Sequence, residues 1–126
     1  MKDKNELKKL KRKLTILNNE RIMHMRSLTH GKPLIHGLPY KVFRKCGKSN
    51  CKCAVGAKHG PYPSLAVNKN GRQRTVMVKK KDVLVVEQKA ERYRHFQQTL
   101  ARIRRINKEI DKLLEQVKAE SMETYP

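Results

Sequence analysis

Three cysteines and a histidine lie within one short stretch, spaced Cys46-x4-Cys51-x-Cys53-x5-His59. Three thiolates and an imidazole make up the donor set of a closed tetrahedral zinc site, so the expected cofactor is Zn2+. Cys51 and Cys53 are too close along the chain to pair with each other, and the odd count leaves a thiol over, which argues against a disulfide framework. A second chemistry stays open: thiols flanked by Lys45, Lys48 and Lys52 have the electropositive setting of reactive, redox-sensing cysteines. His59 is the expected fourth ligand, with His36 and His30 as alternatives in reach of the same loop. The spacing matches no standard zinc finger or knuckle, so it specifies a metal rather than a named module.

Charge supplies the second chemistry. The formal net charge is +20 over 126 residues, and residues 31–81 hold thirteen Lys or Arg and no Asp or Glu. A polyanionic partner follows, nucleic acid ahead of a membrane surface, because each paired phosphate releases condensed counterions. The candidate contacts are Lys41, Arg44, Lys45, Lys48, Lys52 and Lys58 around the cysteines, then Lys69, Arg72 and Arg74, then Lys79, Lys80 and Lys81. Arg94, Arg105, Lys108 and Lys112 form a further stripe near the C-terminal end, which equally suits an ordinary solvated face with Glu109, Asp111 and Glu115. Tyr40 and Tyr62 are available to stack on a base, or to serve as core or lid residues of the head. The sequence carries no visible base-specific readout.

These groups must be held by few elements, since 37% hydrophobic and 5% aromatic content cannot build a large core. Leu7, Leu10, Leu14, Leu17, Met25 and Leu28 predict an amphipathic helix from about Asp3 to His30–Gly31, interrupted without explanation by Arg21. Residues 31–39 hold two glycines and two prolines and read as an extended linker. Short strands are expected over 40–45, 64–68 and 72–79, the last two joined by an Asn70–Gly71 hairpin turn. Asp82 is a helix N-cap, with Val83–Val86 buried against the head. The long helix that follows, to about Ser121, has a coiled-coil seam of Tyr93, Phe96, Leu100, Ile103, Ile106, Ile110, Leu114 and Val117, with Asn107 beside it to fix register.

The expected fold is mainly α with a small β part: an antiparallel helical hairpin or coiled-coil stalk carrying a zinc-stapled head of two or three strands. One domain is expected overall, with an N-terminal helix over 1–30, a basic zinc-binding head over 31–81 and a coiled-coil helix over 82–121. An uncovered seam toward Val117 would invite a homodimer or a protein partner. No stretch approaches 18 consecutive apolar residues and the first residues lack an apolar leader, so a cytoplasmic protein without membrane contact is expected.

The signature Cys46-Gly-Lys-x-x-Cys51-x-Cys53, followed by His59-Gly-Pro-Tyr62, a basic hairpin and a long helix, resembles a family of small uncharacterised prokaryotic proteins known as a domain of unknown function. The resemblance extends over roughly residues 40 to 115. It implies a zinc site and a gene neighbourhood near transposases or other mobile elements, and supplies no established activity. Pro63 stands where another aromatic residue is expected.

The function expected from these residues is a zinc-stabilised accessory protein that binds nucleic acid, DNA ahead of RNA, with a recombinase or transposase or as a regulator. A non-catalytic adaptor that binds a protein through its coiled coil is the alternative. Catalysis is not expected, because residues 21–81 contain no carboxylate to act as general base beside a zinc already holding four protein ligands.

Overall fold

The computed structural model describes residues 4–126. They form two compact units, one made of the chain up to Lys32 together with Phe96–Pro126, the other of Pro33–His95. The expected helix start at Asp3 lies outside the described residues.

The first unit is the stalk. Helix α1 spans Lys4–Leu28 and pairs with the later part of α2, which spans Val83–Ser121 without interruption. At 1.5 Å per residue the 39 residues of α2 make a rod of about 58 Å. The pairing is antiparallel: Leu7 shares a cleft with Glu120, Leu17 shares one with Leu113, and Glu20 bridges to Arg102. Each helix turns toward its partner at alternating steps of three and four. On α1 the inward residues are Leu7, Leu10, Leu14, Leu17, Arg21, His24 and Leu28, and on α2 they are Phe96, Thr99, Ile103, Ile106, Ile110, Leu113 and Val117. This regular heptad corrects the expected seam at three places. Met25 is 49% exposed and His24 faces inward in its stead, Leu114 is 50% exposed while Leu113 is buried, and Thr99 is buried more deeply than Leu100. The reason is geometric: hydrophobicity alone pulled the stripe to the nearest leucine or methionine, whereas a two-helix seam advances strictly by seven. The seam is also not left open toward Val117. α1 reaches the level of Glu120 and Met122, and the part of α2 beyond the stalk is its beginning.

The second unit is the head. Strands β1 (Leu38–Arg44), β2 (His59–Lys69) and β3 (Arg72–Met77) form one antiparallel sheet in the order β1-β2-β3. Tyr40 lies opposite Ser64, which lies opposite Met77, and the register slips once between Val42 and Arg44. β1 begins two residues earlier than expected, β2 begins five residues earlier, and β3 ends at Met77 rather than Lys79. The β2–β3 turn is built by Asn70 and Gly71 with φ of 54° and 78°, the pair of left-handed residues that a tight hairpin turn needs. A short 3-10 turn, Lys80–Asp82, leads into α2, and Asp82 immediately precedes its first residue.

One face of the sheet packs against the first turns of α2. Pro39, Pro63 and Val78 line a cleft with Val83 and Val86, and Leu65 and Ala90 are buried. Only two of the four residues Val83–Val86 therefore turn inward. Leu84 is 74% exposed and Val85 is also exposed, because a helix presents every third or fourth residue to one side. The segment before β1 is tied down rather than a free linker: the Ile35 amide donates to the Lys89 carbonyl at 3.1 Å, and the His36 ring lies 4.7 Å from that of Tyr93.

Candidate metal centre

The cysteines occupy the connection between β1 and β2. Cys46 follows β1 by two residues. The Cys51 amide then donates to the Lys48 carbonyl at 3.2 Å, closing a tight turn. Cys53 sits in a 3-10 turn over Lys52–Ala54, where the Ala54 amide donates to the Cys51 carbonyl at 3.0 Å. His59 opens β2 opposite Arg44, the last residue of β1, so the sheet brings the two ends of the loop together. Gly60 has φ of 139°, and a Cβ there would lie 2.7 Å from the Val42 carbonyl oxygen, so the strand beside His59 closes only with glycine.

The ligand atoms of Cys46, Cys51, Cys53 and His59 all lie within 4.8 Å of one another. Cys46 Sγ and Cys53 Sγ stand 3.4 Å apart, and Cys51 Sγ stands 3.1 Å from His59 Nε2. A tetrahedral site with metal–sulfur bonds of about 2.3 Å has edges of about 3.8 Å, so the four donors are close enough to hold a metal ion. None of the thiols is in a disulfide. Histidines 30 and 36 take other roles: His30 Nδ1 accepts from the Lys32 amide at 2.9 Å, and His36 faces Tyr93.

The loop splits the thiols electrostatically. The Lys48 backbone amide, followed by the Cys53 and Cys51 thiols, holds Cys46 below the ordinary thiol range. The Cys46 amide donates to Cys53 Sγ at 3.4 Å and pulls that thiol down, but burial and the neighbouring thiols outweigh it, so Cys53 stands above the ordinary range. Metal binding takes up thiolates and releases these protons. Arranged this way, the donors can staple β1 to β2, and Cys53, which is 2% exposed, doubles as a core side chain.

The nominated cations are all exposed. Lys41 and Arg44 lie on β1, Lys45, Lys48, Lys52 and Lys58 in the metal loop, Lys69 on β2, Arg72 and Arg74 on β3, and Lys79, Lys80 and Lys81 between β3 and α2. Arg105, Lys108 and Lys112 point away from the stalk seam on α2, whereas Arg94 is held by Glu91 at 2.6 and 3.0 Å. That ion pair removes Arg94 from the free cations, and its i, i+3 spacing was visible in the sequence. Tyr62 is half-buried beside Ser64, while Tyr40 donates to or accepts from Thr75 Oγ1 at 2.7 Å. Sequence reasoning missed Leu38 and Met77, which are 67% and 59% exposed on the sheet. The two-residue alternation of the strands was the available signal.

A two-helix stalk and a small antiparallel sheet carrying a Cys3His cluster that could hold a metal ion define the class. The chain belongs to the family described as Domain of unknown function (DUF6788), whose model matches residues 5–89. The match takes in α1, the metal loop, the sheet and the start of α2, so it begins earlier and ends earlier than the resemblance read from the cysteine signature. No curated protein and no solved structure matches the chain. Among the described residues no helix is long and apolar enough to cross a membrane.

Proposed function

We propose that this protein is a zinc-stabilised accessory protein that binds nucleic acid, DNA ahead of RNA, through its head. The observation that carries the reading is the run of thirteen Lys or Arg without one carboxylate over residues 31–81. That run coincides with the sheet and metal loop, where the nominated cations stand exposed. Zinc suits the site because three sulfurs and one imidazole nitrogen favour a borderline-soft, tetrahedral ion over magnesium or calcium. Its role is structural: it would hold β1 and β2 together in a head too small to be stable on packing alone. With four protein ligands the ion has no open position, which supports a non-catalytic protein.

A recombinase or transposase is the partner that fits an accessory role, in the cytoplasm or on the nucleoid. A second reading, an adaptor without nucleic acid, is favoured by one observation. Ile16 and Met23 are 60% and 69% exposed at heptad spacing on α1, Ile16 at the rim of the cleft with Leu113, and offer a protein partner apolar surface.

Binding of metal-quantified protein to labelled DNA across a salt series tests the proposal. Lys69, Arg72 and Arg74 changed together to Ala should weaken binding and reduce the log–log salt slope by about 2–3. Unchanged affinity and slope with the fold retained would favour the adaptor.

A further inference from the structure

The face of the sheet opposite the one that carries Pro39, Pro63 and Leu65 is built differently from the rest of the head, although Tyr40 and Ser64 also border the cleft with Val83 and Val86. Cross-strand pairing puts Val42 and Tyr62, then Tyr40, Ser64 and Met77, then Leu38, Ala66 and Thr75, then Asn68 and Gln73 on one side. No charged residue stands in these rows, in a unit crowded with cations. Tyr40 belongs to β1, yet its hydroxyl reaches Thr75 Oγ1 on β3 at 2.7 Å. Those strands are two spacings apart, about 10 Å, so the ring lies along the sheet across β2. The small Ser64 and Ala66 beneath it make this possible, and Ser64 is 2% exposed although it faces outward. Tyr40 stays 37% exposed between Leu38 and Met77.

An aromatic ring pinned across the uncharged rows of one sheet face, with amide side chains in line and cations at the sheet ends, has the parts of a stacking platform for bases. Lys69 and Arg72 stand at the hairpin end. Arg44 and the metal-loop lysines stand at the other, about 33 Å away along the 11 residues of β2. A duplex hides its base faces and would set phosphates against the uncharged rows. A second copy of the chain would bring +20 against +20. Leu38 and Met77 offer apolar contact to thymine methyls and deoxyribose, and of the hydroxyls in the rows those of Tyr40, Thr75 and Ser64 are already engaged within the sheet.

We propose that this face binds single-stranded DNA, with a base stacked on the outer side of the Tyr40 ring between Leu38 and Met77 and the phosphates led to the cations at the sheet ends. The inference rests on the nucleic-acid reading above and narrows it to one strand form and one surface.

Fluorescence anisotropy at one ionic strength tests it on the full zinc-loaded protein. The probes are labelled oligothymidylate of about twelve nucleotides, a duplex of the same length and oligouridylate. Oligothymidylate should bind tightest, Tyr40→Ala should weaken it about tenfold or more, and Tyr40→Phe should keep most of the affinity. Because Tyr40→Ala could disturb the sheet, photocrosslinking of the unaltered protein to 5-iodouracil-substituted single-stranded DNA gives an independent readout, expected at Tyr40. Equal affinity for duplex, with crosslinks confined to the hairpin and loop cations, would overturn the inference while leaving the nucleic-acid reading in place. Tighter binding of oligouridylate would overturn the DNA assignment. A Tyr40→Ala change that converts a dimer to a monomer at unaltered DNA affinity would reassign the face to self-association. Absence of binding to all three probes would remove both readings.

Discussion

Arg21 on α1 donates from Nη1 to the Oδ1 of Asn107 on α2 at 3.2 Å, and its Nη2 donates to Asn18 Oδ1 at 2.6 Å. Arg21 occupies a seam position between Leu17 and His24, and its Nε is buried without a partner among the described residues. One turn away Arg102 donates to Glu20 Oε1 at 2.8 and 3.1 Å and to His24 Nε2 at 3.2 Å. These two polar layers interrupt a seam that apart from Thr99 is apolar, and they fix its register. Sliding one helix by a heptad would set Arg21 against Leu100 or Leu114 in place of Asn107.

Asn107→Leu should therefore lower stalk stability by about 1–3 kcal/mol, since a partly buried guanidinium loses its acceptor. Arg21→Leu combined with Asn107→Leu should restore stability to the parent level or above, while sedimentation shows a mixture of oligomers. Thermal melts by circular dichroism and analytical ultracentrifugation check both.

Leu10 is a seam residue only 1% exposed, and Leu10→Ala should cost about 2–5 kcal/mol. Leu114→Ala should stay within about 0.5 kcal/mol, although hydrophobic pattern alone places Leu114 in the seam. Denaturant melts of the two variants compare them directly; similar losses would mean that Leu114 is buried.

Removal of the metal should unfold the head. Purified protein is expected to carry about one zinc per chain. Cys51→Ser or a strong chelator should abolish the zinc content and the hydrogen-exchange protection of β2 amides. Zinc content and melting temperature both unchanged in Cys51→Ser would rule out the staple.

Acid should loosen the stalk through Glu20. The Arg102 guanidinium beside it holds its carboxyl below the ordinary glutamate range, with a smaller contribution from His24. A carboxylate whose folded value is depressed stabilises the fold above the unfolded value of about 4.3 and loses that contribution as pH falls through the lower folded value. Stability measured against pH should drop in that acid window for the parent, and Glu20→Gln should flatten the drop while lowering stability at neutral pH. An identical acid profile in the variant would show that other carboxylates set it.

Much of the head was legible because its signals are local. Asn70–Gly71 marks a hairpin through the backbone conformations that only such residues adopt readily, and three cysteines with a histidine inside fourteen residues mark a metal loop by chain length alone. The strand ends were less legible. β2 extends back to His59 because β1 is there to pair with it, and pairing is a property of two segments rather than one.

The sequence by itself determined the fold class, the two helices, the hairpin turn and the donor set, since periodicity, turn chemistry and ligand spacing act within a few residues of chain. Only the tertiary structure decided which side chains the stalk buries. A seam is chosen by two helices together, so His24, Thr99 and Leu113 took places that hydrophobicity alone gave to Met25, Leu100 and Leu114. The role of Arg21 was decided in the same way, because its partner Asn107 is 86 residues distant along the chain. The side chain of Tyr40 reaches across β2 for a like reason: Ser64 and Ala66 are small, and Thr75, two strands away, holds its hydroxyl.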